Sequence, residues 1–293
     1  MHPFENSIKS MSSDFRSLAR ILTRVENDLS GSAQILKSLV PLPIPVIGIT
    51  GPPGAGKSTL VNQLINKLSA DGKRIAILAI DPSSPFNMGS LLGDRIRMIE
   101  QFNKPNVYIR SLATRGSLGG LSAKTIEMTD VLKSGGFDYI IIETVGVGQS
   151  EVEIAGIADI TIVVLVPESG DEIQSIKSGL MEIANIFVIN KADREGADTF
   201  ANNIQKLVHQ KSTHIPVIKT IAEKADGISE LFEAIKNQPY SENKRKLFLL
   251  TEKAWKLIQH KKMSGINKQK LQQRIAEASK QVDFNLYRFI EAF

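Results

Sequence analysis

The residues best suited to chemistry are eight in a row, Gly51-Pro52-Pro53-Gly54-Ala55-Gly56-Lys57-Ser58, which fit the pattern GxxxxGK[ST] without deviation. That pattern needs a strand before it and a helix after it. Both are legible: the apolar run VIGIT (46–50) precedes it, and a helical stretch runs from Lys57 to about Leu68. The loop Gly51, Pro53, Gly54, Ala55 and Gly56 is expected to close backbone N–H groups around phosphate oxygens. Thr59 extends the same helix N-terminus, whose partial positive charge favours an anion. Lys57 would reach the β- and γ-phosphates and act in catalysis, and Ser58 would ligate Mg²⁺.

A second constellation, Asn190-Lys191-Ala192-Asp193, follows the apolar run IFVIN. After a late strand of such a domain it reads as the guanine-binding motif. Asp193 can accept from guanine N1–H and the 2-amino group together. Adenine offers neither donor and would leave a buried carboxylate unpaired, so GTP and GDP are expected over the adenine nucleotides. Glu143-Thr144-Val145-Gly146 closes the run YIIIE and has the DxxG layout of a second switch, with Glu for Asp. Glu143 would hold Mg²⁺, and the Gly146 N–H would sense the γ-phosphate. Asp81, at the end of RIAILAI, and Asp94, in the loop beyond it, are further candidate metal-facing acids. Gln149 could orient water, but no residue is an obvious general base.

The elements that must position these groups alternate. Seven β-rich runs, VIGIT (46–50), RIAILAI (74–80), VYIR (107–110), YIIIE (139–143), ITIVVLV (160–166), IFVIN (186–190) and PVIKT (216–220), are continuously apolar, as strands covered on both faces are. Amphipathic segments separate most of them. The expected fold class is α/β: a mostly parallel P-loop NTPase sheet with helices on both faces, plus N- and C-terminal helical extensions. Residues 14–40 read as helical on the stripe Leu18, Leu22, Val25 and Leu29, with Ser13 or Asp14 as cap, before the proline-rich linker 41–45. Beyond Pro239, Leu247, Leu250, Ala254 and Leu257, then Leu271, Ile275, Ala278 and Val282, predict two helices with narrow seams on either side of Gly265. The division expected is 1–42, a helical arm; 43–239, the nucleotide domain; and 240–293, a helical dimerisation arm.

Composition narrows the alternatives. The chain has 293 residues, 36 Lys+Arg and 31 Asp+Glu, and 42% hydrophobic residues, as a globular protein has. It contains no cysteine, which excludes disulfides, thiolate nucleophiles and Cys-ligated metal. Its four histidines are scattered, which argues against a nickel-delivering GTPase. Residues 241–280 carry 11 Lys+Arg against three acids, while the rest of the chain is slightly acidic. With only 12 Phe, 4 Tyr and 1 Trp in the whole chain, and only Phe248 and Trp255 among those basic residues before Phe284, a base-stacking nucleic-acid surface is not expected. The longest mostly apolar stretch, 154–166, is too short to span a bilayer, and the first residues do not read as a signal peptide. A cytoplasmic location is expected, or an organelle matrix such as that of mitochondria in a eukaryote.

The strings DPSSP (81–85), GSLLGDRIRM (89–98), RSLATRGSLGGL (110–121), ETVGVGQSE (143–151), GDEIQSIKSGLMEIA (170–184) and NKAD (190–193) occur in one order. Together they resemble the MeaB/ArgK family, relatives of the methylmalonic aciduria type A protein. The resemblance implies a homodimeric G-protein chaperone that gates cofactor loading of an adenosylcobalamin-dependent acyl-CoA mutase and protects it. It places Lys57, Ser58, Asp81, Asp94 and Glu143 at phosphate and magnesium, and Asn190, Lys191 and Asp193 at the base. Ala222 falls in the fifth motif, where Thr220-Ile221-Ala222 replaces the usual Ser-Ala. The segment 167–179, with Asp171, Gln174 and Lys177, matches a third mobile loop that couples nucleotide to mutase, and Lys177 is its candidate catalytic cation. Met88 and Arg95-Ile96 depart from the family's usual residues in the first switch.

Overall fold

A computed structural model describes residues 14–81, 98–113, 123–144, 154–168, 179–209, 215–238, 246–281 and 284–291. Seven strands form one sheet: β1 (Val46–Thr50), β2 (Ile75–Asp81), β3 (Val107–Ala113), β4 (Tyr139–Thr144), β5 (Ile160–Leu165), β6 (Ile186–Ile189) and β7 (Val217–Lys219). Their order is β3-β2-β4-β1-β5-β6-β7, and every pairing between neighbours is parallel. Each of the seven apolar runs thus becomes a strand.

Successive strand residues point to opposite faces, and both faces are apolar. On one face Ile47, Ile49, Ile77, Ile141, Ile162 and Val188 pack under α3 (Lys57–Ala70) and α6 (Ile228–Lys236). On the other, Val46, Leu78, Ile140, Ile142, Val163 and Phe187 pack under α1 (Phe15–Glu26), α2 (Ser32–Ser38), α4 (Ala123–Lys133) and α5 (Ala197–His209). The N-terminal helix therefore belongs to the core: Leu18, Ile21, Leu22 and Val25 are all buried. Its cap is Asp14, whose carboxylate accepts from the Arg16 and Ser17 N–H groups.

One expectation is corrected. The helix expected over 14–40 is broken between Glu26 and Ser32. Asp28 turns into the left-handed region (φ 51°) and Gly31 caps the next helix, so the seam ends at Val25 and Leu29 is 49% exposed. At the C-terminus, α7 (Lys246–Met263) and α8 (Lys268–Ala278) form as expected, followed by a short α9 (Leu286–Ile290). Helix α7 meets α4 and the turn Ile154–Gly156, and Leu257 packs on the core, whereas Leu247 (77%), Trp255 (58%), Ile258 and Met263 are exposed. The second stripe, Leu271, Ile275 and Ala278, is half-buried; α8 contributes nothing to the core and packs with Arg274 over the Phe289 ring of α9.

Candidate functional site

Strand β1 lies at the middle of the sheet, with β4 on one side and β5 on the other, so the loop beyond Thr50 opens at the carboxyl edge, where the order of strand addition reverses. Gly51 leaves β1 at φ 139°, and a Cβ there would lie 2.1 Å from the Val164 carbonyl oxygen of β5. The loop can press this close to the sheet only with glycine. Gly56 ends the loop at φ 83°, where a Cβ would meet Asn190 Nδ2 at 2.3 Å. Helix α3 starts immediately at Lys57, so its N-terminal N–H groups face the loop.

Lys57 is buried at 7% exposure, with its ammonium donating to the Gly51 (2.7 Å) and Pro52 (2.9 Å) carbonyls. A buried cation needs such partners, and these hold it inside the loop. One residue on, the Ser58 hydroxyl donates to Glu143 Oε1 at 2.6 Å. Register brings this about: Glu143 pairs with Ile49 on β1, so the acid is buried below the loop's mouth, and the first turn of α3 reaches it. Asp81 is the last residue of β2, the strand beyond β4, and so ends at the same edge; only its backbone is described. The hydroxyl and the carboxylate are hard oxygen donors, and this pair fits Mg²⁺.

The base-reading motif is tied to the phosphate loop through one side chain. Asn190 Nδ2 donates to the Ala55 carbonyl (2.9 Å), while its Oδ1 accepts from Thr220 Oγ1 and from the Ala222 N–H, both at 3.1 Å. Asn190 is thus a brace across β5 joining the first, fourth and fifth motifs. Lys191, left-handed at φ 57°, donates from Nζ to the Gly54 carbonyl (2.8 Å). The Asp193 carboxylate is exposed beyond β6, with Lys224 Nζ 3.6 Å away. Asp94, Gly146, Gln149, Asp171, Gln174 and Lys177, with Met88, Arg95 and Ile96, lie outside the described residues. Sequence reasoning did not assign the bracing role to Thr220; its place in the fifth motif was the available signal.

A phosphate loop after β1, an acid near the end of β4 and an NKxD motif after β6 of a parallel sheet define a P-loop GTPase. The profile of the family described as "Methylmalonyl Co-A mutase-associated GTPase MeaB" matches residues 18–280, and the chain belongs to that family. A protein of Pyrococcus horikoshii named as a GTPase is 48% identical over 246 residues, covering 80% of this chain and 78% of the relative. The GTPase ArgK of Escherichia coli is 36% identical over 234 residues, covering 74% and 70%. The mitochondrial methylmalonic aciduria type A homolog of Mus musculus is 38% identical over 229 residues, covering 75% of this chain and 55% of the relative. Among solved structures, an LAO/AO transport system kinase superposes with a TM-score of 0.67 at 24% identity, over 97% of this chain and 89% of that one, a likeness of fold.

Proposed function

We propose that this GTPase is a Mg²⁺-dependent guanine-nucleotide switch that gates adenosylcobalamin loading of an acyl-CoA mutase such as methylmalonyl-CoA mutase, and protects that mutase. The observation that carries the nucleotide half is the Ser58–Glu143 hydrogen bond at the mouth of the loop that holds Lys57. The mutase half is supported by the description of the matching family and by the methylmalonic aciduria type A relative.

In this reading Gly51, Pro53, Gly54, Ala55, Gly56 and Thr59 line the phosphates with backbone N–H groups and the α3 terminus. Ser58 and Glu143 would hold Mg²⁺, joined by Asp81 and Asp94, and the ion would supply charge neutralisation at the phosphates. Lys57 exchanges its carbonyl partners for phosphate oxygens and stabilises the charge spread over the transferring group. The Gly146 N–H senses the γ-phosphate. Lys177 approaches the phosphates when the mutase engages 167–179, so intrinsic turnover is slow and the partner accelerates it. Asn190 sets the separation of base and phosphates, and Asp193 reads guanine, with Lys191 and Ala222 flanking it. The exposed apolar residues of α7 are covered by a second copy of the chain, which makes 240–293 a dimerisation arm.

Calorimetry with GTP and ATP, with and without Mg²⁺, tests the nucleotide half. GTP should bind about 30-fold tighter than ATP, a gap set by the two donors that guanine offers Asp193 and adenine lacks. Asp193→Asn should shift preference to xanthine nucleotides, because the amide donates to the 2-oxygen. Equal affinity for GTP and ATP would overturn the base assignment.

A further inference from the structure

Arg194 follows Asp193 directly, and its exposed guanidinium is long enough to fold back onto that carboxylate. It does not: NH1 donates to Glu168 Oε1 instead. Glu168 comes from a different loop, three residues past the end of β5, and β5 and β6 lie side by side with Leu165 opposite Ile189. The Asn190 N–H donates to the Leu165 carbonyl at 2.8 Å, so the two loops leave the sheet together. Arg194 is anchored at its backbone as well, its N–H donating to the Lys191 carbonyl at 3.0 Å.

The surrounding charges show what the pair does. Lys191 commits its ammonium to the Gly54 carbonyl, leaving Arg194 as the cation that engages Glu168 by a hydrogen bond. That bond, ahead of the charge of Lys191, holds the Glu168 carboxyl below the usual carboxylate range. Arg194 is held above its ordinary value by Glu168 first, with Asp193 and Glu223 adding to it, so the guanidinium already feels the Asp193 charge. Asp193 itself has Lys224 at 3.6 Å, beyond hydrogen-bond length and easily parted. A guanidinium on the same carboxylate would add two directed donors and compete with the two that guanine presents.

We infer that Glu168 is a positioning residue for guanine recognition: by holding the Arg194 guanidinium it keeps that cation off Asp193 and leaves the carboxylate to the base. The inference rests on the reading of Asp193 as the base-reading residue. The pair is half-exposed, so the effect is a few-fold.

The test is GDP binding by calorimetry on the full chain in Mg²⁺, with wild type, Glu168→Gln, Arg194→Gln, the double variant and Asp193→Asn. All these positions are exposed, and unchanged thermal unfolding of each variant confirms the fold. Glu168→Gln should weaken GDP about threefold to fivefold. Arg194→Gln should bind at least as tightly as wild type, and the double variant should return to wild-type affinity. A simple staple between two loops would weaken all three alike. A double variant as weak as Glu168→Gln, or a Glu168→Gln that binds like wild type, would overturn the inference. Asp193→Asn separates the two claims: if it binds GDP as wild type does, the base reading itself fails. If it loses GDP while Glu168→Gln does not, only the role of Glu168 fails.

Discussion

Asn190 and Gly56 carry the geometry of the site between them. The asparagine amide sits where any side chain at 56 would be, and it uses that closeness to hold the Ala55 carbonyl. Gly56→Ala should therefore act twice, through a left-handed backbone and through the lost brace. We expect about 1–3 kcal/mol of destabilisation in thermal unfolding, together with GDP affinity too weak for calorimetry. A variant with wild-type affinity would show that the brace is dispensable. The phosphate loop, Glu143 and the NKxD motif were all legible as strings, because their chemistry fixes residue types at fixed spacing. The brace was not: Asn190 and Ala55 lie 135 residues apart, and only the fold brings them together. The Glu168–Arg194 pair was hidden for the same reason, since neither residue belongs to a motif that fixes its partner.

At the scale of elements, the strands were the most legible part. Runs such as VIGIT and ITIVVLV bury every residue, and an unbroken apolar run is what a strand with two covered faces requires. The N-terminal helix was harder. Its periodicity continues to Leu29, but Asn27-Asp28 ends it, and a short polar residue in the left-handed region overrides the apolar spacing. Asp14 makes this helix sensitive to acid. The Arg16 N–H and then the Ser17 hydroxyl hold its carboxyl below the ordinary value of 3.8, so its charge contributes stability that is present above that pH and lost as pH falls through the folded value. Asp14→Asn caps without titrating. Wild type should lose thermal midpoint relative to Asp14→Asn between about pH 5 and about pH 3. Parallel curves would show that the cap charge adds nothing.

At the scale of the molecule, the exposed residues of α7 lie outside the two cores of the sheet. The seams announced helices, but spacing alone could not say which face meets the body, and Leu257 rather than Leu247 does so. The remaining apolar face is suited to a second copy. Light scattering should give a dimer for the full chain, and a monomer for Trp255→Asp/Ile258→Asp and for a chain truncated at residue 239. A monomeric full chain would remove the dimer from the account. The central claim joins this site to a partner enzyme, and steady-state GTP turnover tests it most directly. The assay uses the full chain in Mg²⁺, alone and with purified methylmalonyl-CoA mutase, with Ser58→Ala as the control. The account predicts slow turnover alone, at least about tenfold faster turnover with the mutase, and no stimulation in Ser58→Ala. The same rate with and without the mutase would contradict it.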